Sequence, residues 1–394
     1  MSATIRELVL PSTPTPWDGL ALSSSAAWFS TPPAAREWLL RDARTGSGVL
    51  PSGKVGLVVG EGGVSKTMAL VQLAVAVATG TRWLGAFDVA QRGRVLLILG
   101  EEDADEVHRR AYNARRSSGA HFPEDGALVV LPLHGVPAAM LGPHGEPAAF
   151  ARWLAAFVAE SGPYALVILD PLSRFAGPEA ETDNAAATAF VQGLEALAAS
   201  AGGATVLAAH HTNKGARGPG GQVSGASARG SSGFTDGCRW VATLAAERVR
   251  HEAPEADARL GELVTFAVPK SNYARKPEPL ALRRDLENGG ALVPLDTADR
   301  AIIAQAQASA DPKARRATER ATEREDLARA VLDALAAAPG PVAKRRLFAS
   351  VRAVLPCSYD TFDAVLVGLG ARVVSLRGPR GAVLFSPCES EIPQ

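Results

Sequence analysis

The residues best suited to chemistry lie in a glycine-rich stretch that runs from Gly60 to Thr67. Backbone N–H groups in such a turn, together with the positive end of a following helix, bind phosphate groups. The Lys66 ammonium is placed to contact the β- and γ-phosphates of a nucleoside triphosphate, and the Thr67 hydroxyl is placed to bind Mg²⁺. The predicted nucleotide-binding set is the contiguous run Gly60, Glu61, Gly62, Gly63, Val64, Ser65, Lys66, Thr67 and Met68.

One residue of this stretch departs from the phosphate-loop pattern G-x-x-x-x-G-K-[ST]. Ser65 stands where the pattern has its second glycine, which lets the backbone approach phosphate without a Cβ atom. A dinucleotide pattern, G-x-G-x-x-G, fails at the same serine and leaves Lys66 and Thr67 unexplained. The alternative is a plain strand–turn–helix connection, but the apolar runs on both sides, 55–59 and 68–78, are the context that a phosphate loop requires.

Acidic residues follow two other apolar segments, which are typical of buried parallel strands. Asp170 ends the segment 164–170 and is predicted to hold Mg²⁺ with Thr67, although a carboxylate there could instead cap the next segment. Glu101 and Glu102 follow the segment 94–100. Either glutamate could orient the attacking water, with Glu102 favoured, and the alternative is that both are solvated loop acids.

Histidines and arginines supply the remaining polar groups. His210 and His211 end the apolar segment 204–211, where one of them could hydrogen-bond a γ-phosphate or both could be polar filler. Arg229 and Arg239 lie among small residues further on, and a guanidinium is suited to the charge of a phosphoryl transition state. Either arginine could instead be an ordinary solvated side chain.

Apolar segments of strand length alternate with segments of helical periodicity, which predicts an α/β fold with a mainly parallel central sheet. Ligand sites of such sheets lie at the carboxyl ends of the strands. Three later segments are predicted to close the sheet by antiparallel pairing: 241–248, 263–268 and 280–284. The glycine-rich segment 212–228 is predicted to be a functional loop, and residues 34–44 are predicted to form a short helix.

Composition divides the 394 residues into four parts. We expect an N-terminal arm at 1–45, the P-loop core at 46–296, a charged linker at 297–325 and a small winged-helix-like domain at 326–394. The last part is locally basic, so it is expected either to bind DNA phosphates or to dock a protein partner.

Bulk composition narrows the function classes. The chain has 41 basic and 41 acidic residues, so no global field attracts it to nucleic acid or to an acidic membrane. Its three cysteines are far apart, which argues against a disulfide framework or structural zinc and fits a reducing cytoplasm. No segment has the length and polarity of a membrane span, so no membrane association is expected.

Taken in order, five motifs resemble those of the RepA-type ATPases, whose best-known members are hexameric replicative DNA helicases of plasmids. The motifs are Gly60-Glu-Gly-Gly-Val-Ser-Lys-Thr67, Gly100-Glu-Glu-Asp103, Leu169-Asp-Pro-Leu-Ser-Arg174, Ala209-His-His-Thr-Asn-Lys214 and Ala228-Arg-Gly-Ser-Ser232 with Asp236-Gly-Cys-Arg-Trp240. The resemblance covers about residues 35 to 285. It implies a RecA-like core, a homo-oligomeric ring, and ATP bound with Mg²⁺ between neighbouring subunits.

The same resemblance implies roles for individual residues. Lys66 and Thr67 would bind phosphate and Mg²⁺, and Asp170 would be the second metal-site residue. One of Glu101 and Glu102 would be the catalytic carboxylate, and His211 would sense the γ-phosphate. Arg239 would be the arginine finger that reaches the neighbouring subunit, with Arg229 as the second choice.

The sequence therefore predicts an ATPase that moves along single-stranded DNA as a ring and unwinds duplex DNA as a replicative helicase. A replication protein could be bound through the C-terminal domain. The alternative function is an ATP-dependent regulatory or DNA-binding switch that does not unwind DNA, and a third possibility is an ATPase that has lost hydrolysis.

Overall fold

The computed structural model describes residues 25–121, 126–177, 179–211, 232–248, 259–260, 262–310 and 312–388. The chain divides into two compact units, Met1–Ala246 with Val264–Pro294, and Glu247–Leu263 with Leu295–Gln394. The predicted glycine-rich loop, 212–228, and Arg229 lie outside the described residues. The domain boundaries inferred from the sequence stay predictions.

The helices of the described residues are numbered in chain order. They are α1 Ser25–Ser30, α2 Lys66–Thr79, α3 Ala104–Ser118, α4 Ala149–Ser161, α5 Ser173–Ala176, α6 Asn184–Ser200, α7 Ser232–Gly237, α8 Thr297–Ala310, α9 Pro312–Ala336, α10 Lys344–Val354 and α11 Tyr359–Gly368. Within these residues no helix is both long and apolar enough to cross a membrane.

The strands are numbered in the same way. They are β1 Trp38–Asp42, β2 Gly48–Pro51, β3 Val55–Gly60, β4 Phe87–Val89, β5 Val95–Leu99, β6 Leu128–Pro132, β7 Leu166–Asp170, β8 Thr205–His211, β9 Trp240–Arg248, β10 Glu262–Ser271, β11 Leu280–Asp285, β12 Ala291–Pro294, β13 Val342–Ala343, β14 Val373–Arg377 and β15 Val383–Pro387.

Nine of these strands form the central sheet, in the order β12-β11-β10-β9-β3-β8-β7-β5-β6. Every pairing between β9 and β6 in that order is parallel. The strand that leads into the phosphate loop, β3, is separated from the Asp170 strand, β7, by one strand, β8. The predicted fold class, an α/β P-loop core on a mainly parallel sheet, is confirmed.

The middle residues of β3, β5 and β7 are apolar because helices cover both faces of the sheet. In β5, Val95, Leu97 and Leu99 face one core cluster, while Leu96 and Ile98 face the other. Helix α2 belongs to the first cluster, and α4 and α6 belong to the second. Helix α2 lacks a polar face because nearly every residue in it is buried.

The structure corrects one of the sequence predictions. Residues 34–44 do not form a helix; β1 lies there and pairs antiparallel with β2 and β4 in a separate three-stranded sheet. Leu39 and Leu40 are fully buried, so pairing and burial override the local helical pattern. The predicted antiparallel closing of the sheet is confirmed for β10 with β11 and for β11 with β12, while β9 lies between β10 and β3 and pairs parallel with β3.

The antiparallel end of the sheet is fastened to the helix that follows the phosphate loop. Gln72 of α2 is buried, and its side-chain amide donates to the Leu292 carbonyl at 2.9 Å and accepts from the Leu292 N–H at 2.9 Å. Both polar groups of the residue are satisfied in a dry environment. Strands β11 and β12 are therefore held in fixed register against α2.

The second unit has its own small core. Leu327, Val331 and Leu335 of α9 pack with Leu347 and Val351 of α10 and with α11. Strands β13, β15 and β14 form a three-stranded antiparallel sheet beside these helices. Ser358 precedes α11 and accepts a hydrogen bond from the Thr361 N–H, as a capping serine does. The winged-helix assignment of this part stays a prediction.

Candidate functional site

Parallel pairing brings the polar strand ends to one edge of the sheet. Gly60 at the end of β3 lies opposite His211 at the end of β8, and Leu99 lies opposite Asp170. The Gly100 N–H donates to the Asp170 carbonyl at 2.8 Å, which joins the two neighbouring strand ends. The phosphate loop, the Asp170 carboxylate, the Glu101–Glu102 pair and His211 thus meet at the carboxyl edge.

The loop between β3 and α2 has the curled backbone of a phosphate cradle. Gly63 and Ser65 both have positive φ, +78° and +69°, and α2 begins immediately after Ser65. A Cβ atom on Gly60 would lie 2.6 Å from the Leu244 carbonyl oxygen, so that position requires glycine. The N–H groups at the start of α2 face the anion site that the sequence predicts.

Lys66 is buried at the centre of the loop. Its Nζ donates to the carbonyl oxygens of Gly60 at 2.9 Å and Glu61 at 2.8 Å, and lies 3.2 Å from His211 Nδ1. Burial lowers the pKa of Lys66 from its usual 10.5 to about 8, because the charged form loses hydration. The Asp170, Glu101 and Glu61 carboxylates oppose this shift. A phosphate group would strengthen that opposition.

Asp170 is the most strongly perturbed acid of the site. Burial raises the pKa of its carboxyl from the usual 3.8 to about 6, against the hydrogen bond from the Thr67 hydroxyl and the charge of Lys66. Its Oδ2 atom is buried and has no hydrogen-bond partner among the described residues. Buried carboxylate oxygens are normally satisfied by a hydrogen-bond donor, a bound water or a cation, so this atom is suited to bind one.

The same atoms fit a magnesium ion. Mg²⁺ binds hard oxygen ligands, keeps several waters and is completed by substrate phosphates. The Thr67 hydroxyl and the free Asp170 oxygen are such ligands, and they are adjacent. The described residues contain no cluster of three metal-binding side chains, so the remaining ligands would be phosphate oxygens and water.

The structure shows that Glu101 and Glu102 point to different surroundings, which the sequence alone could not show. Glu101 is half-exposed, forms part of the cavity wall and pairs with Arg174 at 3.3 Å. Glu102, which the sequence favours, turns to Arg110 and forms an ion pair at 3.0 Å. Glu101 is therefore the glutamate that faces the phosphate loop.

The paired histidines also divide by strand alternation. His211 faces Lys66, while His210 is buried on the other side and packs against Phe234 with ring centroids 5.2 Å apart. Only His211 belongs to the site. When Lys66 is charged it donates to His211 Nδ1, which places the ring proton on Nε2.

Arg239 does not join the site of its own chain. It precedes β9, and its N–H donates to the carbonyl of Val55 at the start of β3. The phosphate loop follows the other end of β3, about five residues or ~17 Å away at the rise of a strand. Arg239 is exposed there, at the amino edge of the sheet. The structure therefore leaves it away from the cis site.

The site encloses a cavity of about 310 Å³. Its lining includes the predicted residues Gly63, Ser65, Lys66, Thr67, Met68, Glu101, Asp170 and His211, together with Arg110, Gly289 and Gly290, which sequence reasoning missed. The two glycines end the connection between β11 and β12, next to the strand that Gln72 of α2 binds at Leu292. The glycine pair after a strand signalled a turn, but nothing local placed that turn beside the phosphate loop.

Arg284 of β11 is a second contact that the sequence did not reveal. Its Nε donates to Ser65 Oγ at 3.0 Å, and its terminal nitrogen donates to the Gly63 carbonyl at 2.8 Å. A residue other than glycine with positive φ costs about 1–2 kcal/mol. The sequence contained one indication of such a contact: Ser65 stands at a glycine position, so another residue had to offset the cost of its positive φ.

A larger cavity, of about 1050 Å³, lies in the second unit between α9 and α10. Its walls are mainly alanine, valine, leucine and proline, with Arg329, Asp333 and Arg346 among the polar residues. It contains no buried lysine or carboxylate of the kind found beside the phosphate loop. We therefore assign the chemistry to the smaller cavity, on the character of its residues and not on its volume.

Comparison with a family of known proteins agrees with this assignment. The sequence pattern of a family described as an AAA domain matches residues 17–217, just over half of the chain. One similar solved structure is described as the ATPase domain of another protein. It is 11% identical, has a TM-score of 0.44, and the match covers 62% of this chain and 86% of that chain.

The raised pKa of Asp170 predicts that Asp170→Asn stabilises the nucleotide-free protein. Because the folded pKa is raised, the ionised carboxylate lowers stability above about pH 6, and this loss disappears as pH falls below 3.8. A shift from 3.8 to about 6 corresponds to ~3 kcal/mol. We expect a gain of about 1–3 kcal/mol near pH 8 and about half as much near pH 5 in urea denaturation.

The control is Asp88→Asn, an exposed aspartate paired with Arg82, which should change stability by less than about 1 kcal/mol at either pH. A gain for Asp170→Asn of equal size at the two pH values would contradict the assigned cause.

Proposed function

This chain belongs to the AAA domain family, and we propose that it is an ATP-hydrolysing, RecA-like motor of the RepA type that acts on single-stranded DNA as a ring. One observation carries the proposal: Lys66, Thr67, Asp170, Glu101 and His211 surround a single cavity at the carboxyl edge of the sheet. Those side chains are the set that phosphoryl transfer to water requires.

Each side chain has a defined task in ATP hydrolysis. The N–H groups of the phosphate loop and the Lys66 ammonium bind and orient the β- and γ-phosphates. Thr67 and Asp170 would hold Mg²⁺, which when bound neutralises charge on the phosphate oxygens. His211 lies beside Lys66 and is placed to hydrogen-bond the γ-phosphate and to transmit its loss to the chain that follows β8.

Glu101 is the proposed catalytic carboxylate. It lines the cavity, and its carboxylate forms an ion pair with Arg174. Glu102 does not line the cavity and pairs with Arg110, which makes it a supporting residue. A glutamate that accepts a hydrogen bond from the attacking water orients it towards the γ-phosphate.

Arg239 is proposed as an arginine finger that acts on the neighbouring subunit. Its place at the amino edge keeps it away from its own phosphate loop but exposes it to an adjoining copy. A head-to-tail ring would bring the amino edge of one core near the carboxyl edge of the next. Arg229 is the second choice; it lies outside the described residues. A hexamer is the ring size that the resemblance implies.

The DNA contacts are proposed for two parts of the chain. The glycine-rich loop 212–228, which lies outside the described residues, follows His211 directly and would contact the DNA backbone through Lys214 and Arg217. The winged-helix-like domain, 326–394, would bind DNA or dock a replication protein, and its mainly apolar cavity favours docking. A cytoplasmic setting belongs to the same proposal.

The two glutamates predict different kinetic losses. Glu101→Gln should lower kcat for ATP hydrolysis by about a hundredfold, because it removes the base but keeps the shape of the site. Glu102→Gln, the matched control, should lower it by less than about tenfold, since it only releases Arg110. Phosphate release at saturating ATP is the measurement. The reverse order would assign the catalytic role to Glu102.

Mixed subunits test the arginine finger. Lys66→Ala and Arg239→Ala chains should each lose nearly all ATP turnover on their own. Mixing them should restore part of it, because a ring then contains sites with an intact Lys66 and an intact Arg239 from the neighbour. Phosphate release after mixing is the readout, and a native mass confirms the ring. If mixing never restores turnover in a ring of mixed subunits, Arg239 does not act in trans.

DNA assays separate the motor from the rival functions. We expect single-stranded DNA to stimulate ATP turnover and the protein to displace a strand from a forked duplex, with Lys66→Ala inactive in both assays. Stimulated turnover without displacement would rule out the helicase but keep the motor. ATP binding without turnover would instead support the regulatory switch.

A further inference from the structure

We propose that Arg284 is a positioning residue for the phosphate loop. Its guanidinium holds Ser65 in the left-handed conformation that the loop requires, and so takes over the task of the glycine that the phosphate-loop pattern has there. This inference rests on the proposed ATPase function and names a residue of that same site which the motifs do not contain.

The contact joins the two residues of the loop that have left-handed backbone conformations. Gly63 has a φ of +78° and Ser65 a φ of +69°, and one guanidinium donates to both, through the Gly63 carbonyl and the Ser65 hydroxyl. Ser65 precedes α2, yet its side chain makes no capping hydrogen bond to that helix. The hydroxyl is therefore committed to Arg284 and not to the usual partner of a serine at a helix start.

Arg284 is itself held in place. It lies in β11, where it is paired with Leu292 of β12. Leu292 is the residue whose backbone N–H and carbonyl are both bound by Gln72 of α2. The strand that carries the guanidinium and the helix that follows Ser65 are thus one connected assembly, so the arginine acts from a fixed position.

The geometry of the guanidinium suits this task. Its N–H donors form a rigid planar fork, so it can bridge two acceptors at once, whereas a lysine ammonium is a flexible point charge. The N–H groups of Ser65, Lys66 and Thr67 point at a phosphate only while Ser65 keeps its backbone conformation. Loss of the bridge should therefore weaken nucleotide binding and leave the chemical step little changed.

A double-mutant cycle tests the pairing in the full chain. Binding of a fluorescent ATP analogue is measured by titration for wild type, Ser65→Gly, Arg284→Ala and the double variant. Arg284→Ala should weaken binding about tenfold in the wild-type background, the size of a charge-assisted hydrogen bond. In the Ser65→Gly background it should weaken binding no more than about threefold, because glycine adopts positive φ unaided.

Three further substitutions separate the geometry of the guanidinium from its charge and from its position in the chain. Arg284→Lys keeps the charge but not the fork, and we expect it to bind no better than Arg284→Ala. Arg283→Ala is the matched control, since alternate residues of a strand point to opposite faces, and it should bind like wild type. Ser65→Ala should weaken binding while Ser65→Gly does not, although both lose the hydroxyl. Thermal unfolding without nucleotide verifies that each variant is folded.

The outcomes are distinguishable. Equal losses on Arg284→Ala in both backgrounds would overturn the pairing, and wild-type binding by Arg284→Lys would show that charge and not geometry matters. A fall in kcat with unchanged binding would also contradict a positioning role. A wild-type chain that binds no ATP analogue would instead contradict the proposed function, and the inference would fall with it.

Discussion

The candidate site depends on two charged side chains that are buried at one edge of the central sheet. Lys66 and Asp170 both lie in the interior, and burial shifts their pKa values towards each other, the lysine down and the aspartate up. Their mutual attraction only partly offsets the lost hydration. The two side chains therefore compensate each other's charge only in part. A phosphate beside Lys66 and a cation beside Asp170 would each place an opposite charge next to a buried ionised side chain and so stabilise its charged form.

Such a site persists only if the surrounding structure holds it rigidly. Five parallel pairings align the strand ends. Helices pack against both faces of these strands and hold the edge of the sheet in place. The antiparallel strands add two contacts: Gln72 of α2 binds Leu292 of β12, and Arg284 of β11 binds the phosphate loop. Rigidity of this kind offsets the cost of keeping strained backbone and buried charge at a functional position.

What the sequence could predict depended on local pattern. The phosphate loop, the apolar strands and the position of Asp170 are each defined by a short run of residues. A short run can be recognised without knowing the rest of the fold, so the core strands and the polar edge of the sheet were predictable. The β1 strand was misread because its stability comes from pairing with distant segments. The sequence also could not show that Glu101 lines the cavity while Glu102 turns to Arg110, because Arg110 lies several residues further along the chain, in α3. Arg284 and the Gly289–Gly290 turn are far from the loop in sequence and close to it only in the folded chain.

Because the pKa values of Lys66 and Asp170 are shifted in opposite directions, binding of phosphate and a cation would also change the protonation of both side chains. A phosphate beside Lys66 raises its pKa, so the lysine takes up a proton wherever it was partly neutral, near pH 8. A cation beside Asp170 lowers its pKa, so the aspartate releases a proton wherever it was partly protonated, near pH 6. Midway between those values, near pH 7, proton uptake by Lys66 and proton release by Asp170 are both small and opposite in sign. Near neutrality, filling the site would thus leave the proton balance of the surroundings almost unchanged.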